Sequence, residues 1–501
     1  MSGDCRPILV GAAQLIERDV EPEKALDPLA MLEQIAREAA DDARGGDALL
    51  RAVDTIGIVE IAAWKPQNAA RLLAERIGAN AKTEIVSRTG GEISMSLVNR
   101  VAERILTGET EVALVAGTNN LLSLKRAHAA GAKLDWPMGG NGEPEFFGSK
   151  APGSSDVEIR HGLDMPVSMY PSIENALRAK RGIGADEHRR RLGELFAPFT
   201  EVAARNPYAR FPVARSADEI VRVTPQNRMV SYPYTKYMNA VLETDQAAGV
   251  LLMSTGKARS LGIPEDRWLY WWGGANVDEK AWFVSERPDI ADSLAMRACA
   301  QRTLGDAGVS IGDVDVLDFY SCFPVAVELA CEAYGVDERD PRGHTVTGGL
   351  PYAGGPGSNY PMHSLAAMAG VLRERSGAKG LVTGNGYYLT KHSASLWGCE
   401  PGGRALHPEL PARVDEQAAL QLIEVVESAE GAATVDTFTV NYDRESAPSR
   451  GIVIGRTADG RRFVANTPSD RETLEEFVAS EAIGRRGEVR TEGDLNVFTP
   501  H

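Results

Sequence analysis

Residues 84–120, EIVSRTGGEISMSLVNRVAERILTGETEVALVAGTNN, constrain the fold of this chain more than any other stretch. The apolar run at 84–87 reads as a short strand and Gly90-Gly91 as an elbow. Ile93, Leu97, Val101 and Ile105 then recur at helical spacing until Gly108, and a second strand is predicted at 112–116. The helix is apolar or small on most faces, so it is expected between layers rather than on a surface. An elbow that leads from a strand end into a buried helix start presents free backbone N–H groups. That suits chemistry, and it is equally ordinary α/β architecture.

The flanking sequence repeats this rhythm. Strands are predicted at 7–14 and 53–61, and helices at 28–44, where Asp27 precedes Pro28, and at 68–77. Such alternation predicts a largely parallel sheet covered on both faces. Later, a helix at 293–304 leads to VDVLDF at 314–319, which echoes VDTIGI at 53–58. GLVTGNGYY at 380–388 likewise echoes VALVAGTNN at 112–120. Two similar halves are the economical reading.

Residues 121–229 break the rhythm, being rich in Pro, Gly, Arg and aromatics and too long for a connector. The sheet resumes in 235–253, where Asp245 opens the run AAGVLLM. Residues 406–428 read as a polar connector ending in a helix. From 434 onward, VDTFTVNY, RGIVIGRT and RRFVANT read as short β runs, with Ala458-Asp459-Gly460 as a hairpin signal.

Composition narrows the function classes. A 501-residue chain with 43% hydrophobic residues can bury several cores. Its formal net charge of -16, spread along the chain, should repel nucleic acid and anionic membrane, so an anionic ligand needs a local basic patch. Candidates are Lys125 and Arg126, and Arg178, Lys180 and Arg181 on a predicted helix; the same residues also fit a solvated helix face. No signal peptide and no membrane span are expected. The five cysteines show neither a disulfide framework nor metal spacing, which fits a reducing cytoplasm and no metal site. The glycine run at 348–357 lacks the lysine of a P-loop and does not follow a strand, so nucleotide hydrolysis and NAD are excluded.

The repeated halves, the central helix, FYSCFPVAVELACEAYGV at 319–336, NPYARF at 206–211 and TGGLPYAGGPGSNY at 347–360 together resemble the thiolase superfamily. The likeness spans roughly residues 7–405 and is strongest to the sterol carrier protein thiolases, in the bacterial thiolase-like branch with an extra C-terminal domain. It implies an α/β thiolase fold of two similar halves in a five-layer α/β/α/β/α arrangement. Residues 1–120 plus 230–275 would form the N-terminal half, 121–229 an inserted loop domain, and 276–405 the C-terminal half. Residues 406–501 would hold a connector and a small OB-like β domain without zinc-ribbon cysteines. Nucleic-acid binding by that domain is disfavoured by overall charge, although Arg444, Arg450, Arg456, Arg461 and Arg462 form a local basic patch.

The resemblance also locates what is missing. A thiolase carries its nucleophilic cysteine on the elbow, its activating histidine in a Gly-His-Pro turn, and a second acid/base in a Cys-x-Gly loop. Here Gly90 stands in the first position, Gly355 in the second, and Thr383-Gly384-Asn385-Gly386 replaces the third. Conventional thiolysis or Claisen condensation is therefore not expected, and two glycines predict a widened cavity. Tyr320-Ser321-Cys322-Phe323 aligns with the block that borders the family's catalytic cavity.

Cys322 is the candidate substitute nucleophile, against a small core thiol. Tyr320, with Tyr352 or Tyr360, is the candidate acid/base of a lyase acting on a bulky acyl-CoA, against a packed ring. His363, His392 and Asn385 are candidate polar groups near the cleft, against capping or turn roles. The leading expectation is a CoA or acyl-CoA binding protein of lipid metabolism, monomer or homodimer, with no covalent cofactor. Lys125, Arg126, Arg178, Lys180 and Arg181 would hold the CoA phosphates. The alternative is an active acyltransferase, of acetyl-CoA acetyltransferase type, or the lyase.

Overall fold

The strand, elbow, helix and second strand expected at 84–120 all form. In the computed structural model, which describes residues 4–405, 417 and 419–501, they are strand Thr83–Ser87, helix Ile93–Thr107 and strand Val112–Asn120. The helix ends where Gly108 turns left-handed at φ 81°, a conformation that costs glycine little.

Ten strands make one hydrogen-bonded sheet. Its order is Val316–Asp318, Lys379–Gly386, Lys391–Gly398, Leu269–Asp278, Pro7–Glu17, Asp245–Ser254, Val112–Asn120, Thr55–Ile58, Thr83–Ser87 and Glu145–Phe147. Among the described residues, strands of the two halves pair with each other only where Ile8 and Leu9 meet Tyr270 and Leu269. On either side of that seam the order of strands corresponds, so the internal repeat is real in space.

The sheet is mixed, not largely parallel. Parallel pairing is confined to the 55–58, 83–87, 112–120 and 145–147 group and to 316–318 with 379–386. Strands 379–386 and 391–398 are joined by four residues, which is too short for a parallel crossover and forces an antiparallel pair. The long strands Asp245–Ser254 and Leu269–Asp278 run antiparallel to their neighbours as well.

Five layers result. Helices Pro28–Asp42 and Ala69–Ile77 cover the outer face of the first half through Leu32, Ile35, Leu73 and Ile77. Helix Ile93–Thr107 and its counterpart Tyr360–Arg373 lie between the halves, each touching strands of both. Their core contains Leu97, Val101, Met362, Leu365, Trp271 and Trp397, all fully buried. Burying each such side chain stabilises the fold by about 1.5–3 kcal/mol before entropy is counted. Helices Leu294–Ala307 and Pro324–Tyr334 cover the second half. The inserted helices Pro166–Lys180 and Ala185–Arg205 pack onto that same outer core.

The C-terminal β runs close into a five-stranded barrel-like sheet. Gly431–Tyr442 pairs with both Pro448–Thr457 and Arg486–Glu492, and Arg462–Asn466 and Leu495–Pro500 complete the ring. Helix Arg471–Ala479, absent from the sequence reading, plugs the ring with Leu474 and Phe477. The connector expected at 406–428 lies mostly outside the described residues, and no helix forms over 419–428.

Arg462, read from sequence as part of a basic patch, is buried. Its guanidinium bonds Asp436 and donates to the carbonyls of Ser285 (3.1 Å) and Arg287 in the thiolase body. Arg456 and Arg461 are paired with Asp436 and Asp459. Arg462→Ala should strand these acceptors and lower stability by about 3 kcal/mol, read by urea unfolding, with faster proteolytic cutting between barrel and body. A change under about 1 kcal/mol would show that the domain docks without this residue.

Candidate active site at the glycine elbow

The elbow brings Arg88 to Glu92 from the end of strand Thr83–Ser87 into the central helix. Glu92 sits at the helix N-cap but makes no capping bond with its side chain. The carboxylate turns inward, and Lys391 Nζ meets Glu92 Oε1 at 2.9 Å. Both side chains are at most 5% exposed, so the charges are paired inside the protein. Lys391 also donates to the carbonyl of Thr89 (2.9 Å) and lies 4.4 Å from the centroid of the Tyr387 ring. Burial raises the pKa of Glu92, opposed by Lys391, and its Oε2 has no hydrogen-bond partner.

This pair occupies the space that a side chain at Gly90 would enter. A Cβ at Gly90 would stand 2.5 Å from Lys391 Nζ and closer still to Glu92 Oε2. A Cβ at Gly386 would overlap the same carboxylate. The cavity expected to be widened by Gly90 is instead filled, because buried space left by a missing side chain is taken by its neighbours. Gly355 tells a similar story: its Cβ would approach the Val241 carbonyl at 3.2 Å, and its N–H donates to that carbonyl at 2.8 Å.

Opposite the elbow lies the segment Tyr320–Phe323. The Tyr320 ring abuts Gly91, whose Cβ would fall 2.7 Å from its Cζ, and its backbone N–H donates to Thr383 Oγ1 (2.9 Å). The Tyr320 hydroxyl makes no hydrogen bond among the described residues. Tyr360 meets Tyr320 edge-on with centroids 5.6 Å apart, and its own hydroxyl bonds Thr347 at 2.6 Å. Tyr352 packs on Phe196 instead.

Cys322 is buried. Asn385 Nδ2 approaches its sulfur at 3.9 Å and donates to Tyr170 Oη at 2.9 Å, while Tyr170 Oη donates to the Tyr387 carbonyl at 2.7 Å. Burial pushes the Cys322 thiol up to about 12, so the thiolate is scarce at neutral pH. Burial also pushes the phenol of Tyr320 well above its usual value. Asn385 lies within strand Lys379–Gly386 and is not a left-handed turn residue. The space beside Tyr320 and Asn385 is about 10 Å³, room for about one water.

Of the two histidines, His392 lines this same small space beside Tyr320 and Asn385, and only His363 is elsewhere. His363, on helix Tyr360–Arg373, holds Gln14 Oε1 with Nδ1 (3.1 Å) beside Gln246, and its Nε2 has no partner. His392 lies between Ser293 Oγ (3.0 Å) and the Leu389 carbonyl (3.1 Å). Burial lowers both to about 3, so both imidazoles are neutral at pH 7.

The five basic residues expected to meet phosphates fall into two sets, each engaged by carboxylates. Lys125 pairs with Glu243 and Arg126 with Asp19. Lys180 pairs with Asp289 (2.8 Å), and Arg178, itself buried, reaches Glu481 of the barrel (2.8 Å). Arg181 serves Glu328, Glu332 and Glu338.

Sequence reasoning passed over Glu92, Lys391, Tyr170 and Tyr387. One signal was available: Lys391 opens KHSASLWG, a strand buried throughout, where an unpaired ammonium would not be tolerated. Its turn, 387–390, holds Tyr387 and Leu389 at φ 53° and 59°, backbone strain of about 1–3 kcal/mol each, of a kind that collects at functional sites.

The chain as a whole is similar to several known proteins. Residues 409–494 match the family described as the thiolase-like protein type 1 additional C-terminal domain. No match was found among curated proteins. The acetyl-CoA acetyltransferase from Syntrophomonas wolfei shares the fold at 16% identity and TM-score 0.57, covering 79% of this chain and 99% of that one. The Ltp2-ChsH2(DUF35) aldolase does so at 17% identity and TM-score 0.60, covering 79% and 98%. A monomeric SCP2-thiolase like protein type 1 from Mycobacterium smegmatis is 32% identical, with TM-score 0.84 and 100% of both chains covered. Identity of that order along the full length of both chains means that the chain belongs to the SCP2-thiolase-like proteins of type 1.

Proposed function

We propose that the protein binds CoA or acyl-CoA thioesters of lipid metabolism and does not carry out thiolysis or Claisen condensation. The observation that carries the second half is the Glu92–Lys391 pair, which stands where the acyl-bearing side chain would have to be. With Gly90 at the elbow, a protonated Cys322 and two buried histidines that take up a proton poorly, no group among the described residues is poised as thiolate and base. Binding is supported by the fold shared with an acetyl-CoA acetyltransferase.

A single working subunit is supported by strand Glu145–Phe147, which pairs with Thr83–Ser87 and covers the sheet edge from within the chain. The free thiols Cys322, Cys331 and Cys399 suit a cytoplasmic setting.

The test is to incubate the protein with a 3-oxoacyl-CoA and with a branched, steroid-like CoA ester, then follow intact-protein mass, retained CoA and products together. The expected result is retained CoA with no adduct and no product. An acyl adduct on Cys322 would replace this reading with an acyltransferase.

The free hydroxyl of Tyr320, edge-on to Tyr360 beside the elbow, favours one second reading, a lyase on a bulky acyl-CoA. Turnover abolished by Tyr320→Phe and unaffected by Cys322→Ala would select it.

A further inference from the structure

On the outer side of the elbow, the carboxyl ends of the parallel strands Thr55–Ile58 and Thr83–Ser87 open into a cavity of about 310 Å³. This is a position where α/β sheets receive ligands, and the volume lies at the lower end of small-molecule sites. It is separate from the closed space beside Tyr320: the elbow stands between, and no residue lines both.

The wall combines an apolar floor with an uncommitted positive charge. Ile61 and Trp64 are buried, and the indole Nε1 of Trp64 is fixed by the Pro137 carbonyl at 2.7 Å. Phe146 is 52% exposed, an unusual state for a large ring on a strand that otherwise serves only to cover the edge. The Arg88 guanidinium lies 4.0 Å above that ring and makes no hydrogen bond or ion pair with any described residue. The remaining lining charges cancel, since Lys65 is paired with Glu60. A half-covered aromatic surface with one unpaired guanidinium therefore carries a net single positive charge, in a chain whose net charge is -16.

We infer that this cavity binds a small monoanionic carboxylate with an apolar alkyl or aryl body. The body lies on Ile61, Trp64 and Phe146, and the carboxylate takes the forked donors of Arg88. Arginine suits this task because its planar fork meets both carboxylate oxygens while its face stays on the ring. The site also touches the elbow: Glu60 Oε2 accepts from Ser358 Oγ (3.4 Å), and Ser358 Oγ accepts from the Gly90 N–H (3.2 Å).

The experiment titrates the full-length protein with 4-phenylbutyrate and, separately, with the uncharged 4-phenylbutan-1-ol, by calorimetry and saturation-transfer NMR. The carboxylate is expected to bind about ten-fold more tightly than the alcohol. Arg88→Gln should erase that difference while leaving alcohol binding in place, and Phe146→Ala should weaken both. Arg88→Lys, which keeps the charge without the fork, should retain part of the preference and guards against a folding artefact.

Equal binding of the two probes, or carboxylate binding unchanged by Arg88→Gln and Phe146→Ala, overturns the assignment. So does a concentration-dependent dimer in sedimentation that Phe146→Ala abolishes, because the surface would then belong to a second copy. None of these probes contains CoA, so the outcome is independent of the thioester reading.

Discussion

Lys391→Met is expected to lower the stability of the protein by about 3–5 kcal/mol at pH 8, because it leaves the Glu92 carboxylate buried without its partner. The loss should shrink as pH falls. Glu92 already titrates above its usual value through burial, and without the ammonium it takes up a proton more readily still. The double variant Glu92→Gln, Lys391→Met should recover most of the loss, since two neutral side chains of similar size remain. Urea unfolding of the two single variants and the double variant, at pH 6 and pH 8, gives the cycle. If Lys391→Met cost under about 1 kcal/mol at pH 8, the pair would not be holding the elbow closed.

The same pair means that one substitution at the elbow is not expected to restore a nucleophile. A cysteine at position 90 would meet Lys391 Nζ and Glu92 Oε2 before it could meet a substrate.

The second large effect lies outside the elbow, where the inserted domain meets the C-terminal half. Glu174, His188 and Glu328 come from three helices and are all buried, with their polar atoms within 4.8 Å of one another. His188 Nε2 meets Glu174 Oε1 at 2.7 Å, Tyr234 donates to Glu174 Oε2, and Arg181 serves Glu328 as well as Glu332 and Glu338. Burial, reinforced by the neighbouring Glu174, raises Glu328 well above the usual carboxyl value. Burial likewise raises Glu174 and lowers His188. Of these two facing carboxyl groups Arg181 reaches only Glu328, so the pair is expected to hold a proton between them.

A carboxyl whose folded pKa is raised contributes stability that is full below the unfolded value near 4.5 and is lost as pH rises through the folded one. The apparent melting temperature is therefore expected to fall as pH rises from 6 to 9. Glu328→Gln, which supplies a permanent donor toward Glu174, should flatten that slope and stabilise the protein at pH 8 by about 1–2 kcal/mol. A variant less stable than the parent across this range, with an unchanged slope, would mean that both carboxylates are ionised, Glu328 held by Arg181 and Glu174 by His188 and Tyr234.

Much of the architecture was legible in order along the chain. The 3.6-residue period of Ile93, Leu97, Val101 and Ile105, ended by Gly108, specified a buried helix, and all four residues are fully or almost fully inaccessible. The echoes between 53–58 and 314–319, and between 112–120 and 380–388, announced two halves, and the strands they predict occupy corresponding places in the sheet. The alternating β runs after 434 announced a small barrel. Local pattern fixes these features because hydrophobic period and turn chemistry act within a few residues.

Other features depended on which segments meet in space. Strand direction was misread because alternation with helices does not say that a four-residue turn at 387–390 folds one strand back on its neighbour. The site was misread for a similar reason. From sequence, Gly90 and Gly355 are missing side chains and so predict space. In the folded protein that space at the elbow belongs to Glu92, two residues away, and to Lys391, delivered from the other half. The sequence alone determined that no thiolate could stand at the elbow. Only the tertiary structure decided that an ion pair would fill it, since close packing leaves no interior volume unclaimed and a buried ammonium must find its carboxylate wherever the chain brings one.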